Sequence, residues 1–414
     1  MPPHLTRKQL RTSPKRPTAM HSWNLLFFLF LSVAFLINAR EVGSPRVRFL
    51  PWTRLLSPIT RTRAENIIVV NTWPLTGPND AAWKVLTRRG TAVDAVVAGC
   101  TAAEEDRNIT SVGYGGSPDE RGNTTLDAMV MDGDSMKLFE ETGEFSDVKS
   151  SNNFPEPSTP SGAVASMPYI KEAIKVALGV MQMTRHTLLV GPPATNFAAS
   201  IGFQRTDLSS NESRAMWKEW HDGQCQPNFR VPYQWTPDPR RSCGPYRKRR
   251  PRGLVGISEK RPNLDIKEDN HDTIGMIALD EKGSMAVGMS TNGVKFRIPG
   301  RVGDTPIPGA GGYVDSKVGG AAGTGDGDVL MRFLLSFRAV ELMRQGKNAT
   351  EACQQSLGAV REKGQWSGGL VALRADGQYG AACVGFESFA MVVQTANSNG
   401  PQVIKVSCMK PWDV

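Results

Sequence analysis

The residues best suited to chemistry lie in the string Asn270-His271-Asp272-Thr273-Ile274-Gly275-Met276. Cleavage of the bond before Thr273 would give one residue both a hydroxyl nucleophile and a free α-amine able to take its proton. Such an amine has a reference pKa of about 7.7–8.0, so an appreciable neutral fraction exists near neutrality. The Asp272-Thr273 bond is itself a target for the Thr273 hydroxyl: attack gives an ester, which water then opens. That shift needs a strained bond and a donor to the developing oxyanion. Glycine-punctuated segments follow, Ser290-Thr291-Asn292-Gly293 and Gly300-Arg301-Val302-Gly303-Asp304.

Other chemistries have less support. The histidines are His4, His21, His186, His221 and His271, and a Ser-His-Asp triad has no Gly-x-Ser-x-Gly elbow to carry it. Neither His-Glu-x-x-His nor a paired Cys-x-x-Cys is present, so no metal and no other cofactor is expected. The formal charge of +9 points at first sight to nucleic acid. Residues 1–63, however, hold eleven Lys or Arg against Glu41 alone, a net +10 that leaves the rest of the chain at −1. Polyanion binding needs basic groups clustered on a folded surface, so nucleic acid is not an expected partner.

Residues 25–37 are apolar apart from Ser32, follow basic residues and precede Asn38-Ala39-Arg40. An apolar run of thirteen residues, at a rise of about 1.5 Å each, is too short for a hydrocarbon core of about 30 Å. Residues 1–39 therefore read as a secretory signal peptide, with a signal anchor as the alternative, and 40–66 as a basic linker. No stable membrane span is expected. Four Asn-x-Ser/Thr sequons, at Asn108, Asn123, Asn211 and Asn348, agree with secretory entry. Cys225 and Cys243 lie in a Pro-rich, Trp-containing loop, and Cys383 and Cys408 bracket the C-terminal strands. An oxidising compartment permits bridges. The expected pairs are Cys225–Cys243 and Cys383–Cys408, with Cys100 and Cys353 left as buried thiols.

The elements that must position Thr273 can be read from hydrophobic period. Residues 67–72 form a β-branched core strand, Asn79 caps a helix to about residue 88, and 92–104 form a second helix. A strand at 126–131 and a helix at 170–181 complete the first half. From Thr273 strands are expected at 273–279, 285–291, 370–373, 379–384 and 389–394, with helices at 329–343 and 350–362. Residues 138–161 lack periodicity and read as an exposed insertion. The irregular stretch from about 227, including 244–272 with its basic run at 247–250, reads as a protease-sensitive linker. Strands alternating with helices on both sides of one linker suggest a single layered α/β domain over 67–414.

The stretch from Asn270 to Arg332 resembles glycosylasparaginase, also called aspartylglucosaminidase, an N-terminal-nucleophile hydrolase of the asparaginase type 2 family. The matching strings are His271-Asp272-Thr273-Ile274-Gly275-Met276, Ser290-Thr291-Asn292-Gly293, Gly300-Arg301-Val302-Gly303-Asp304-Thr305-Pro306 and Gly323-Thr324-Gly325-Asp326-Gly327-Asp328. The likeness extends back through Asn71-Thr72-Trp73-Pro74, Gly113-Tyr114-Gly115-Gly116-Ser117-Pro118-Asp119 and Thr187-Leu188-Leu189-Val190-Gly191. It covers nearly everything from residue 67 onward.

The resemblance implies a four-layer αββα sandwich with mainly antiparallel sheets. It also implies autocleavage between Asp272 and Thr273 into an α chain (67–272) and a β chain (273–414), assembled as (αβ)2. Thr273 would be the nucleophile, with the Thr291 hydroxyl beside it. Arg301 would grip the substrate's α-carboxylate and Asp304 its α-ammonium, within binding loops that include Val302, Gly303, Asp326 and Gly327. Thr324 and Gly325 would donate to the oxyanion, and Trp73 would line the entrance. The implied substrate is N-acetylglucosaminyl-asparagine left by glycoprotein breakdown, and the implied place is the lysosome or the secretory route.

Each assignment has a plainer rival. An Arg three residues from an Asp often makes a surface ion pair, Trp73 suits a core, and the glycine run at 319–327 by itself reads as a turn, with no Walker lysine to make it a phosphate cradle. Rival functions are an L-asparaginase or isoaspartyl peptidase of the same superfamily, which carry Ser-Thr-Gly-Gly at the Asn292 motif, and an uncleaved, inactive secreted glycoprotein. The insertion at 138–161 departs from the family's pattern, as does the lack of obvious partners for Cys100 and Cys353. Both bear on stability rather than chemistry.

Overall fold

β-Branched side chains pack well on a pleated, buried surface, and β1 (Ile68–Thr72) is buried along its whole length. The structure, a computed structural model, describes residues 67–135, 160–249, 273–361, 364 and 366–410. The leader and basic linker, most of the insertion, the linker from residue 250, His271 and Asp272 lie outside the described residues. After β1 come α1 (Thr76–Thr87), α2 (Ala92–Glu105), β2 (Leu126–Asp132), β3 (Ser161–Met167) and α3 (Ala173–Met183). They are followed by β4 (Leu188–Val190), α4 (Gly191–Ser200), α5 (Asn211–Asp222), β5 (Trp235–Thr236) and β6 (Arg247–Lys248). The second half runs β7 (Ile274–Leu279), β8 (Met285–Thr291), β9 (Gly312–Asp315), β10 (Gly319–Gly325), α6 (Gly327–Phe333), α7 (Leu335–Arg344) and α8 (Ala349–Arg361). It closes with β11 (Gly368–Arg374), β12 (Tyr379–Val384), β13 (Ser388–Thr395) and β14 (Gln402–Ser407).

The result is a mixed α/β fold with two main sheets. The larger has eight strands in the order β14-β13-β1-β7-β8-β2-β3-β4, and the smaller has four in the order β12-β11-β10-β9. β3 pairs with β4 in parallel; β1 pairs antiparallel with β7, β7 with β8, and β10 with β11. The strand after the 250–272 segment therefore lies near the centre of the larger sheet, beside β1.

Alternation along each strand divides its side chains between two cores. Ile274, Met276 and Ala278 of β7 pack with Ala286 of β8 and with apolar residues of α2 and α3, including Val96, Cys100, Ile174 and Ala177. Ile277, Val287 and Met289 face the other way and pack with Val314, Ala322, Val371 and Leu373 of the smaller sheet. A third cluster joins the smaller sheet to α7 and α8 through Ala321, Leu370, Ala339, Val340 and Leu357. Between the sheets, small residues set the spacing: a Cβ on Gly275 would sit 2.7 Å from the Ala322 Cβ, and one on Gly320 would sit 2.9 Å from Ile277 Cγ2. Larger side chains there would push the layers apart.

Several boundaries differ from those read in the sequence. The helix assigned to an Asn79 cap begins at Thr76 instead, because Asn79 is buried and its amide donates to Asn71 Oδ1 at 2.7 Å. The helix read from residue 170 starts at Ala173. The helix expected over 329–343 is two, broken at Leu334, whose backbone is left-handed with φ 51°. The glycine run expected as a turn is β10, a strand buried along its length, because pairing with β9 and β11 gives its backbone a ladder on both edges. Ser161, the last residue of the expected insertion, pairs with Met131. Arg247 and Lys248, expected in the linker, pair with Thr236 and Trp235. β9 and β14, with α4 and α5, had no assignment in the sequence. Among the described residues no helix is long and apolar enough to cross a membrane.

Disulfides join Cys225 to Cys243 and Cys383 to Cys408, while Cys100 and Cys353 are free and buried. Burial pushes the Cys353 thiol up to about 12 and raises that of Cys100 well above its usual value. Both are therefore poor nucleophiles. The sequon residues Asn108, Asn123, Asn211 and Asn348 are all exposed.

Candidate active site

Four threonines meet where strands end. Thr72 closes β1, Thr291 closes β8, Thr324 is near the end of β10, and Thr273 immediately precedes β7. Thr273 is 4% exposed, so its surroundings are largely dry. Its carbonyl accepts the Thr72 hydroxyl at 3.1 Å and the Thr324 hydroxyl at 3.5 Å. Thr72 Oγ1 also accepts the Gly275 N–H at 2.9 Å, so one side chain pins both sides of the β7 start. Ile274 pairs with Ser290; one step outward, the same register sets Thr273 opposite Thr291. Thr291 Oγ1 in turn accepts the Gly293 N–H at 2.9 Å, which folds the strand end into the loop beyond.

Trp73 departs from its expected place. It is wholly buried, wedged edge-on against Phe389 and Phe386 at centroid distances of 5.2 and 5.6 Å, and does not line an entrance. Its large apolar surface is used in the core between the sheets. Its indole N–H donates to Thr324 Oγ1 at 2.9 Å, which leaves the Thr324 hydroxyl proton to point elsewhere, toward Thr273. Next to Thr324, Gly325 has φ 119°, and a Cβ there would lie 2.5 Å from the Ser367 carbonyl oxygen. Glycine alone tolerates both constraints.

Beyond β8, Asn292 anchors the loop that carries the charged residues. Its amide donates to the Gly113 carbonyl at 2.9 Å, and its own N–H to the Ser111 carbonyl at 2.8 Å. Arg301 then reaches Asp328 Oδ2 at 3.1 Å through Nη2. It does not form the ion pair with Asp304 that the plain reading of their spacing suggested. Among the described residues, nothing bonds to the buried Arg301 Nε or to Asp304 Oδ2. The guanidinium occupies space kept open by Gly303 and Gly327, where a Cβ would lie 2.9 and 3.1 Å from its nitrogens. Val302 is half-buried between Arg301 and Gly303. Asp326 caps α6 by accepting the N–H groups of Asp328 and Val329 at 3.1 and 3.2 Å.

The electrostatics of this corner are unusual. Burial pushes the Asp304 carboxyl up to about 7; Arg301 opposes that shift, and Asp326 and Asp127 add to it. Asp127 is also raised, chiefly by burial and against the pull of Arg297 and Arg301. It accepts the Ser166 N–H at 2.6 Å and pairs with Thr291 across β2 and β8. Sequence reading passed over Asp127, Thr72 as a clamp, and Glu104. The available signal was a carboxylate inside an apolar strand or helix, which is rarely buried without a reason.

Comparison with known proteins fits this geometry to a group. A family model described as asparaginase matches residues 56–150 and 157–403, which include every described residue discussed above for the site. The chain belongs to the asparaginase type 2 family. Within reach of that family, a Mus musculus protein named N(4)-(beta-N-acetylglucosaminyl)-L-asparaginase is 43% identical over 361 residues, covering 85% of this chain and 95% of its own. A Rattus norvegicus protein of the same name is 41% identical over 394 residues, covering 94% and 99%. The asparaginase family match brackets the segment 151–156, inside the expected insertion, as the stretch it does not span.

Proposed function

We propose that this chain is an amidohydrolase that cleaves the N-acetylglucosaminyl-asparagine linkage after cutting itself between Asp272 and Thr273. The observation that carries this reading is the meeting of Thr273, Thr291 and Thr324 in a dry strand-end site, with Arg301 against Gly293, two residues beyond Thr291, and Asp304 and Arg301 both against Gly327. The names of the mouse and rat relatives agree with it. The fold is read as the four-layer αββα sandwich of N-terminal-nucleophile hydrolases, with mainly antiparallel sheets; the three apolar clusters between successive layers support this.

In the precursor, Thr273 Oγ attacks the Asp272 carbonyl and the peptide nitrogen leaves to become an α-amine. Water then hydrolyses the resulting ester and frees the Thr273 hydroxyl. In the mature site the neutral amine takes the hydroxyl proton as Oγ attacks the side-chain amide of the substrate. The glycosylamine leaves with that proton, and water opens the β-aspartyl ester to release aspartate. Thr324 and Gly325 donate to the oxyanion, with Trp73 orienting the Thr324 hydroxyl. Arg301 Nε and Asp304 Oδ2 are suited to the α-carboxylate and α-ammonium of the substrate, which accounts for two buried polar atoms that no described residue bonds. Neither charge exists at an asparagine within an intact polypeptide, so the substrate is a free glycosyl-asparagine. An (αβ)2 assembly and a lysosomal or secreted location belong to the same reading.

N-terminal sequencing and a competition assay test it. Two chains, one beginning at Thr273, with faster release of aspartate from the glycosylated amide than from L-asparagine, are expected. A single uncut chain without turnover would defeat the proposal, and faster hydrolysis of plain asparagine would move it to the L-asparaginase alternative.

A further inference from the structure

The chemistry above uses the face of β7 and β8 that looks toward the smaller sheet. Behind it, on the helix side, lies a carboxyl group that the chemistry leaves unused. Glu104, near the end of α2, is 1% exposed. Its Oε1 accepts the Ser290 hydroxyl at 2.6 Å and the Ile174 N–H at 2.9 Å. Among the described residues nothing bonds to its Oε2. Ser290 pairs with Ile274 on one side and Ala128 on the other, and is the chain neighbour of Thr291. One oxygen of Glu104 therefore ties α2, α3 and β8 together one residue behind the Thr273 and Thr291 positions.

We propose that Glu104 is a positioning residue: by holding Ser290 from behind, it fixes the end of β8 so that the Thr291 hydroxyl stays beside the Thr273 nucleophile. The inference rests on the amidase reading of the site. Side chains of adjacent strand residues point to opposite faces, so fixing the one behind sets the orientation of the one in front. An apolar side chain would meet the packing need of α2 at lower desolvation cost than a carboxyl group. The bond to Ser290 is what an apolar side chain would lack.

The protonation state of the clamp follows from its surroundings. Burial is the main cause that pushes the Glu104 carboxyl up to about 8, against the lowering effect of its bonds to Ser290 and Ile174. Facing it are Cys100 on α2, Glu172 and Lys175 at the start of α3, and Ser290 on β8; Glu172 raises it further and Lys175 lowers it. The neutral form therefore holds Ser290 at acidic and neutral pH. Ionisation above about pH 8 places a charge where water cannot reach it, and turnover falls.

The test compares wild type, Glu104→Gln, Glu104→Ala and Ser290→Ala, with kcat normalised to the amount of β chain beginning at Thr273. Glutamine keeps the accepting oxygen without the ionisation. Glu104→Gln is expected to keep the acid-side kcat within about threefold and to lose the fall above about pH 8. Glu104→Ala is expected to lower kcat by about ten- to a hundredfold with KM within about twofold, and Ser290→Ala to act in the same direction. An alkaline fall in Glu104→Gln equal to that of wild type overturns the proposal, as does unchanged kcat in Ser290→Ala. Should Glu104→Ala yield no mature chain, those two variants decide. Wild-type protein that is cleaved yet releases no aspartate from the glycosylated amide overturns the amidase reading, and this inference with it.

Discussion

The strand-end site and the lobe formed by residues 225–249 use the same residue types in opposite ways. In the lobe, Arg230 and Asp238 are bound by protein groups. Arg230 makes a double contact with Glu120, with Nη2 to Oε1 at 2.8 Å, and lies 4.3 Å over the Tyr246 ring. Asp238 is bound by Arg240 through side chain and backbone, and those bonds hold its exposed carboxyl at about 2. In the site, Arg301 has one bond to Asp328, its Nε has no described partner, and Asp304 is pushed up to about 7 by burial. Polar groups that serve structure are completed by the fold. Those suited to a ligand are held rigid and left incomplete, at a cost in stability.

That contrast can be broken or sharpened by substitution. The largest effect is expected from Thr273→Ala, which should leave one uncut chain and reduce amidase turnover by more than about four orders of magnitude, read by gel mobility and aspartate release. Retained cleavage in that variant would remove the basis of the site. Asp304→Asn should lower kcat/KM by about a hundredfold to a thousandfold, because it breaks a buried charge arrangement. The same variant tests the cost in stability with a definite sign. A carboxyl raised from 3.8 to about 7 contributes stability that is fully present below pH 3.8 and is lost as pH rises toward 7. Melting temperature should therefore fall more steeply over that range in wild type than in Asp304→Asn, and parallel curves would contradict the assignment.

Smaller effects should separate the two regions. Trp73→Phe keeps the aromatic packing but removes the N–H that orients Thr324, so kcat should fall about tenfold with KM little changed, the size of one hydrogen bond. Replacing Cys225 and Cys243 together by alanine opens a bridge spanning 18 residues and should reduce stability by about 3 kcal/mol. It should leave kcat per folded molecule nearly unchanged. A large loss of kcat there would mean that the lobe also shapes the site.

Much of the frame was legible in the chain. The β-branched run of β1, the short apolar runs of β8 and β12, and the period of α8 each state their element locally. The site string was legible as a family motif, which located Thr273, Arg301 and Asp304 without indicating how they meet. The misreadings share a cause. Asn79 and the residues of β10 follow partners outside their own segment: Asn79 bonds to Asn71, and Gly319–Gly325 takes its ladder from β9 and β11. The resemblance implied an entrance position for Trp73, with the core as the plainer rival, and its area packs against Phe386 and Phe389.

By itself, then, the sequence determined a layered α/β chain, its apolar strands and helices, and the residue types of an N-terminal threonine hydrolase, because these depend on local period and on motif. The tertiary structure alone decided that Thr72 and Thr324 converge on the Thr273 carbonyl, that Trp73 supports Thr324 from the core, and that Glu104 stands behind Ser290. Those contacts join residues 51 to 251 positions apart, and nothing local encodes them. They arise when two sheets spaced by glycine and alanine bring four strand ends to one place.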